Sequence, residues 1–187
     1  MAVAVKERPK GKVWTYEDYL KLTDDKRYEL INGRLYEMPA PGFEHQKASI
    51  KLASLLLRFA EEKGKGQVLA APFDVILSET VVVQPDILFI SNENLKNIKG
   101  GRLFGSPDLV VEIVSPTSYV RDRYEKFVLY ERYGVKEYWL VYPEHEVVEV
   151  WCLRDGKYVL HAFAVERGEV SSCVLKGFKV KVEEVLR

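Results

Sequence analysis

Residues Leu109–Val114 read LVVEIV, a run of aliphatic and mostly β-branched side chains that is interrupted by a single acid, Glu112. A short and nearly continuous apolar run is typical of a strand that is buried on both faces. A Ser-Pro-Thr-Ser segment ends the run, and helical spacing of apolar residues follows from about Tyr119 to Tyr133. We therefore predict a buried central strand that carries one carboxylate and leads into a helix.

The rest of the chain alternates between helical and strand-like patterns. Asn32-Gly33, between two apolar runs, is a strong hairpin signal, and the stretch from His45 to about Lys63 has helical spacing. We further predict a short helix after Thr15, strands within Val68–Leu77 and at Val81–Val83, Ile87–Ile90, Tyr138–Tyr142, Val147–Leu153 and Tyr158–Val165, and a last short strand or helix after Gly177. This order predicts an α/β or α+β domain, with helices packed on a mixed sheet and a C-terminal part rich in β-hairpins.

Composition limits the classes of protein that remain. Of the 187 residues, 47% are hydrophobic and 30% are charged, which is enough for a core and argues against disorder. For this length we expect a single domain, at residues 14–187, after a flexible basic arm at residues 1–13. The 28 Lys and Arg residues balance the 28 Asp and Glu residues. This balance excludes a globally basic nucleic-acid-binding protein but leaves room for a local basic cleft.

The sequence also predicts the cellular compartment of the protein. No apolar stretch approaches the about 20 residues that span a bilayer, and the first twelve residues lack the apolar segment of a signal peptide. The two cysteines, Cys152 and Cys173, fit no metal-binding spacing. We expect a cytoplasmic protein without membrane association, in which both cysteines are structural thiols.

Asp86 and Glu112 are the two acids that interrupt strand-like runs. Asp86 follows Pro85 at the start of the run Ile87–Ile90. An ionised carboxylate in an apolar strand is unfavourable unless a cation or hydrogen-bond donors accompany it. If the two strands are neighbours, both carboxylates approach one point, where their repulsion raises a pKa or recruits a hard cation such as Mg²⁺ or Mn²⁺. The alternative is that each acid pairs with a nearby Lys or Arg.

Lys126 lies on the predicted helix that follows the Glu112 strand. Asp122, Lys126 and Tyr130 are spaced four residues apart and share one helix face. In one interpretation, the ammonium returns over the strand, orients a water and stabilises negative charge in a phosphoryl-transfer transition state. In the other, Lys126 is half of a solvated Asp-Lys pair of little energetic consequence.

Taken together, these residues resemble the signature of the Uma-two-type family, a large bacterial group of restriction-endonuclease-like domains of the PD-(D/E)xK superfamily. The resemblance rests on Pro85-Asp86, Glu112–Ser118, Asp122, Lys126, Tyr130, Gly134-Val135 and Glu137–Trp139, and upstream on Tyr28–Leu35 and His45. It extends from Trp14 to Val150, which is most of the chain.

The resemblance implies a metal-dependent DNA endonuclease that hydrolyses phosphodiester bonds with Mg²⁺ or Mn²⁺. It implies that Asp86 and Glu112 bind the metal, with Glu29 as an additional acidic ligand from the first hairpin. The lysine of the standard motif lies two residues after the second acid, where this chain has Val114. In this family the lysine is displaced to the following helix, which implies Lys126 as a catalytic residue.

Three further residues are candidates for contacts around the metal-binding acids. His45 begins the long helix and is suited to touch a phosphate or a metal-bound water, unless it is a helix-start histidine with no special task. Gln84 directly precedes Pro85-Asp86 and is suited to hydrogen-bond a metal-bound water, unless it is an ordinary strand-edge amide. Asp122 joins them because it shares the helix face of Lys126.

A second interpretation comes from a different class of protein. The chain would be an inactive nucleic-acid-binding or assembly module that retains the nuclease fold, and the zero net charge favours it. Under the nuclease interpretation the expected partner is DNA, and a homodimer is attractive because such nucleases cut two strands. We expect the region Tyr138–Val165, including Trp151 and Phe163, to supply the two-fold interface.

Overall fold

The structure is a computed structural model that describes residues 13–187 and, at backbone level, Val5 and Lys6. Its strands are β1 (Val5–Lys6), β2 (Arg27–Ile31), β3 (Arg34–Met38), β4 (Gly66–Ala70), β5 (Val75–Ser78), β6 (Val81–Val83), β7 (Ile87–Ser91), β8 (Ile98–Lys99), β9 (Arg102–Phe104), β10 (Leu109–Ile113), β11 (Glu137–Tyr142), β12 (Val147–Arg154), β13 (Lys157–Val165), β14 (Glu169–Ser171) and β15 (Lys179–Lys181). Its α-helices are α1 (Tyr16–Tyr19), α2 (Phe43–Glu62), α3 (Phe127–Arg132) and α4 (Val182–Leu186), and a π-helical segment (Arg121–Lys126) leads directly into α3.

The strand predicted from LVVEIV, β10, lies inside a mixed sheet. The strand order of this central sheet is β13-β12-β11-β10-β7-β4. β10 runs parallel to β11 and antiparallel to β7, and all five of its residues are buried. A second sheet has the order β1-β3-β2-β6-β5-β9-β8, and β14 pairs with β15. The predicted class, a mixed sheet flanked by helices with a hairpin-rich C-terminal part, is confirmed.

Alternation along β10 and β11 separates the two faces of the central sheet. Val111 and Trp139 belong to a core shared with the buried faces of α2 and α4. Val110 and Leu140 belong to a core on the other face, shared with α3 and with strands of the second sheet. Because side chains alternate along a strand, Glu112 lies on the same face as Val110. This acid therefore points toward the layer that holds α3 and the first hairpin.

Local signals in the sequence produced the expected turns and caps. Asn32 and Gly33 have φ angles of 49° and 76°, the left-handed values that a tight two-residue hairpin requires, and Ile31 pairs with Arg34. Thr15 caps α1 through a capping box with Asp18. The helix that follows β10 is present, but its π-helical segment was not predicted.

The predicted basic arm at the N-terminus and the two predicted thiols can be compared with the described residues. Of the predicted basic arm, Val5 and Lys6 form β1, which pairs with β3, and the remainder of residues 1–12 lies outside the described residues. Cys152 and Cys173 form a disulfide, so the expectation of two structural thiols is wrong. Their separation of 21 residues carries no signal that the segment after β14 returns to β12. Among the described residues, no helix has both the length and the apolar character that a membrane span needs.

Candidate active site

The turn between β6 and β7 brings Asp86 to the side of Glu112. Oδ2 of Asp86 accepts a hydrogen bond of 2.8 Å from the backbone N–H of Ile113, the residue that follows Glu112 on β10. The same oxygen lies 3.1 Å from Nε2 of His45, in the first turn of α2. The neighbouring strands thus bring together two acids that are distant in sequence, and α2 adds a histidine.

Lys126 is the centre of a buried cluster of carboxylates. Its Nζ lies 2.8 Å from Oε1 of Glu29 and 2.9 Å from Oε1 of Glu112. Asp122, one helical turn earlier, lies 3.7 Å from the same nitrogen. The side chain of Lys126 is only 1% exposed, so the solvated Asp-Lys pair is ruled out. The ammonium does return over the strand of Glu112.

Hydrogen bonds from uncharged groups fix the acids on either side of this lysine. The hydroxyl of Tyr130 donates to Oε1 of Glu112 at 2.8 Å, and the backbone N–H of Gln84 donates to Oε1 of Glu29 at 2.9 Å. Oε2 of Glu29 is buried and accepts no hydrogen bond within the described part of the chain. One oxygen of each glutamate is therefore occupied, while the second oxygen of Glu29 has no donor.

Burial and crowding set the protonation of the cluster. Burial raises the pKa of Glu112 well above its ordinary value, against the opposing effect of Lys126. Burial also raises the pKa of Asp122 to about 6, again opposed by Lys126. Burial alone would lower the pKa of Lys126, but the charges of Glu112, Glu29 and Asp122 outweigh it and raise that pKa. The neighbouring acids therefore favour the protonated form of Lys126.

A cavity opens onto one side of this cluster. Asp86, Glu112, Asp122 and Lys126 line it, and Glu29 does not, because Glu29 lies behind the lysine and is fully buried. The other lining residues are Arg27, Met38, Pro39, Ala40, Pro41, Gly42, His45, Ile113, Ser115, Thr117, Ser118 and Arg121. Three acids, Asp86, Glu112 and Asp122, thus share the cavity with three cations, Arg27, Arg121 and Lys126.

The acids of the cavity do not form a closed metal cage. Among the described residues, no three of these side chains bring ligand atoms within 4.8 Å of one another. Mg²⁺ commonly keeps several waters and is held by only one or two carboxylates. The separation of the acids therefore suits a hydrated hard cation better than an ion fully enclosed by protein ligands.

The structure brings together most of the predicted site residues, but not the side chain of Gln84. Its amide nitrogen donates to Asp74 and to the hydroxyl of Tyr19, at 2.9 and 3.2 Å, and its oxygen accepts from Arg27. Only its backbone reaches Glu29. The side chain of Gln84 is thus engaged by Asp74, Tyr19 and Arg27 and not by the acids of the cavity, whereas His45 and Asp122 lie beside those acids.

Arg121 is a residue of the cavity that sequence reasoning missed. It is 6% exposed and lies at the start of the π-helical segment, where neither it nor Asp122 points to solvent. A π-helical turn widens the helix and changes which residues share a face. The hydroxyl of Tyr138 donates to the backbone carbonyl of Asp122 within this segment. In the sequence, Arg121 looks like any solvated arginine beside an aspartate.

Comparisons with known proteins agree with this architecture. A crystal structure described as a putative nuclease belonging to DUF820 from Anabaena variabilis ATCC 29413 superposes with a TM-score of 0.75, at 16% sequence identity, over 92% of this chain and 97% of that one. At this identity the likeness concerns the fold alone. No curated protein matches the sequence. The family model Uma2, described as "Putative restriction endonuclease", matches residues 16–183. The chain therefore belongs to the Uma2 family of restriction-endonuclease-like proteins.

Proposed function

We propose that the chain is a metal-dependent endonuclease that hydrolyses phosphodiester bonds of DNA. The single observation that carries this proposal is the shared cavity of Asp86, Glu112 and Lys126, in which the ammonium lies 2.9 Å from Oε1 of Glu112. An acidic pair and a lysine at one cavity are the groups that restriction-endonuclease-like hydrolysis requires, and family membership supports the same reaction class.

The carboxylate oxygens of the cavity favour a hard divalent cation. Three buried carboxylates, those of Glu29, Glu112 and Asp122, surround the ammonium of Lys126, and Asp86 lines the same cavity beside His45. Carboxylate oxygens are the ligands that Mg²⁺ and Mn²⁺ prefer. Asp86 and Glu112 would hold the ion, and Asp122 is the third carboxylate of the cavity. A bound ion would polarise the scissile phosphate and acidify a water.

The remaining residues would position the reacting groups. Glu29 was expected as a metal ligand, but its place behind Lys126 supports a different role, in which its carboxylate holds the ammonium in place. Lys126 would orient the attacking water and offset negative charge that develops on the phosphate. His45 would hold Asp86 through its 3.1 Å contact with Oδ2. Tyr130 would fix Oε1 of Glu112 and leave Oε2 for the ion.

Two further proposals concern the organisation of the protein. We propose that residues 14–187 act as one domain and that the protein is a homodimer. Phe163, on the edge strand β13, is 54% exposed and is available to an interface. Trp151 is only partly available, because its ring packs edge-on against Phe127 at 5.0 Å. Light scattering on the purified protein measures the number of chains directly.

Incubation of the purified protein with supercoiled plasmid DNA and Mn²⁺ or Mg²⁺ tests the proposed reaction. We expect nicked or linear product, no product with EDTA, and a loss of about 10²-fold or more for Asp86→Asn and Glu112→Gln, as for loss of a group that stabilises transition-state charge. Asp108→Asn is a matched control, because this buried acid pairs with Lys136 at 2.7 Å and lies outside the cavity.

Calorimetric titration with Mn²⁺ separates the proposal from the inactive module. Cation binding that Asp86→Asn abolishes, without cleavage of any DNA substrate, would indicate a module that keeps the fold and the ion but not the reaction. Equal cleavage by Asp86→Asn and the unaltered protein would contradict the assigned acids.

A further inference from the structure

Arg121 is a buried cation whose hydrogen-bonding capacity is almost unused. A guanidinium has five N–H donors. Within the described residues its hydrogen bonds amount to one, from Nη1 to the sulfur of Met38 at 3.0 Å, and a thioether is a weak acceptor. The nearest carboxylate oxygen, Oε2 of Glu29, lies 3.7 Å from Nη1, which is too far for a hydrogen bond.

The position of Arg121 is fixed although its donors are free. The guanidinium carbon lies 5.3 Å from the centre of the Tyr36 ring, a cation–π arrangement that holds the plane of the group. Arg121 lines the same cavity as Asp86 and Glu112. A guanidinium that is held in place and has unpaired donors at a cavity is a receptor for an oxyanion, since its fork matches the oxygens of a phosphate.

We propose that Arg121 binds a phosphate of the DNA backbone, through the non-bridging oxygens of the phosphodiester that enters the cavity. This inference rests on the proposed function and assigns the group that recognises the substrate, which neither the acidic pair nor Lys126 provides. Lys126 is unsuited to that role because its ammonium is already held by Glu29 and Glu112. In this arrangement Asp86 and Glu112 would hold the metal ion, and Arg121 would bind the phosphate.

Arg27 offers a matched control in the same cavity. Its Nε and Nη2 both donate to Oε1 of Gln84, at 3.2 and 3.1 Å, so two of its donors already have a strong acceptor. Arg27→Gln and Arg121→Gln remove the same charge from the same cavity wall. They differ in what holds the guanidinium: Arg27 is held by two hydrogen bonds to an amide oxygen, whereas Arg121 donates one hydrogen bond, to a weak thioether acceptor.

Fluorescence anisotropy with a short DNA duplex and Ca²⁺ in place of Mg²⁺ measures binding without reference to cleavage. We expect Arg121→Gln to weaken binding by about 10- to 100-fold, the loss of a charged hydrogen bond. A plot of log affinity against log salt should become shallower by about 0.9, the contribution of one neutralised phosphate. Arg27→Gln should keep the slope of the unaltered protein. Arg121→Lys should keep the slope but bind more weakly, because an ammonium lacks the planar fork.

Each outcome decides the inference. Equal salt slopes for Arg121→Gln and the unaltered protein would overturn it, and so would equal losses in the two Gln variants or a failure of the unaltered protein to bind the duplex. If Arg121→Gln fails to fold, Arg121→Lys decides, and unchanged affinity in that variant counts against the inference. Weaker binding by Arg121→Gln in a protein that cleaves no substrate would support the phosphate contact and reject the nuclease proposal.

Discussion

Glu112 and Glu137 are two buried glutamates on neighbouring parallel strands, and the protein satisfies them in opposite ways. Glu112 receives an ammonium and a tyrosine hydroxyl and lines the cavity. Glu137 is fully buried and receives only uncharged donors, namely the indole N–H of Trp139 at Oε1 and, at Oε2, the hydroxyl of Ser172 and the backbone N–H groups of Cys173 and Val174. Burial raises the pKa of both acids.

The difference separates a structural acid from a candidate for chemistry. Glu137 ties the segment after β14 to the central sheet, and both of its oxygens are occupied. Its carboxylate also lies near the sulfurs of Cys152 and Cys173, but these are joined in a disulfide and are not thiolate ligands. Glu112 combines burial with a counter-ion and an open cavity. Burial of an acid in a strand therefore does not by itself indicate function.

Removal of the Lys126 ammonium from the acids around it should have the largest effect on stability and activity. Lys126→Met leaves Glu29, Glu112 and Asp122 without their shared ammonium, and breaking a buried ion pair typically lowers the free energy of unfolding by about 3–5 kcal/mol. Denaturant unfolding measures this loss. We also expect nuclease activity to fall by about 10²-fold or more, measured on the fraction that remains folded.

Lys157→Met is the control for that variant. The ammonium of Lys157 pairs with Glu131 at 2.8 Å, but its side chain is 79% exposed. An exposed pair contributes about 0–1 kcal/mol, so this variant should unfold almost like the unaltered protein. If the two methionine variants were equally stable, the buried cluster would not have the energetic role assigned to it.

Exchange of each glutamate for glutamine should separate stability from activity. In Glu137→Gln an amide NH₂ replaces one of the two oxygens, and either orientation leaves N–H donors facing donors. We expect a loss of about 1–3 kcal/mol in the free energy of unfolding, with unchanged activity per folded molecule. In Glu112→Gln, Lys126 retains Glu29, so we expect a smaller loss of stability together with loss of activity.

Denaturant curves and plasmid cleavage on the same preparations measure both quantities. An inactive but fully stable Glu137→Gln would reverse the assignment of the two acids.

Much of the fold could be predicted because it follows from local patterns. LVVEIV gave β10, since an apolar run of that length is stable only when buried on both faces. Asn32-Gly33 gave the first hairpin, since both residues tolerate the left-handed backbone that the turn needs. The i, i+4 spacing of Lys126 and Tyr130 also gave their shared face, which meets Glu112.

The site was less predictable because its geometry depends on long-range contacts. The position of Glu29 behind Lys126, rather than in the cavity, depends on how the first hairpin packs against the helix. Arg121 is buried through a π-helical turn, and regular helical periodicity does not anticipate such a turn. Glu137 directly precedes a strand-like run, but the three donors to its Oε2 come from a segment more than thirty residues later.

The smallest effect that we expect is on the pH dependence of the free energy of unfolding, through the titration of Asp122. Burial raises the pKa of Asp122 to about 6, whereas an unfolded aspartate titrates near its ordinary value of about 3.9. Between these values the folded protein binds more protons than the unfolded chain, so this group's contribution to stability falls as pH rises from about 4 to about 6. Asp122→Asn removes the titration and should flatten that part of the curve.

At pH 7 and without added metal, we expect Asp122→Asn to be more stable by about 1–2 kcal/mol. This is less than the full shift in pKa would give, because Lys126 loses one of its three carboxylate neighbours. Denaturant unfolding at pH 4, 5, 6 and 7 measures the difference, with Glu131→Gln as the control at an acid whose pKa is lowered by its hydrogen bond with Lys157. That control should lose stability at pH 7, the opposite sign. If Asp122→Asn were equally stable or less stable at pH 7, burial of the Asp122 carboxylate would carry no net cost. Lys126 would then stabilise its acids as well as the hydrogen-bond donors stabilise Glu137.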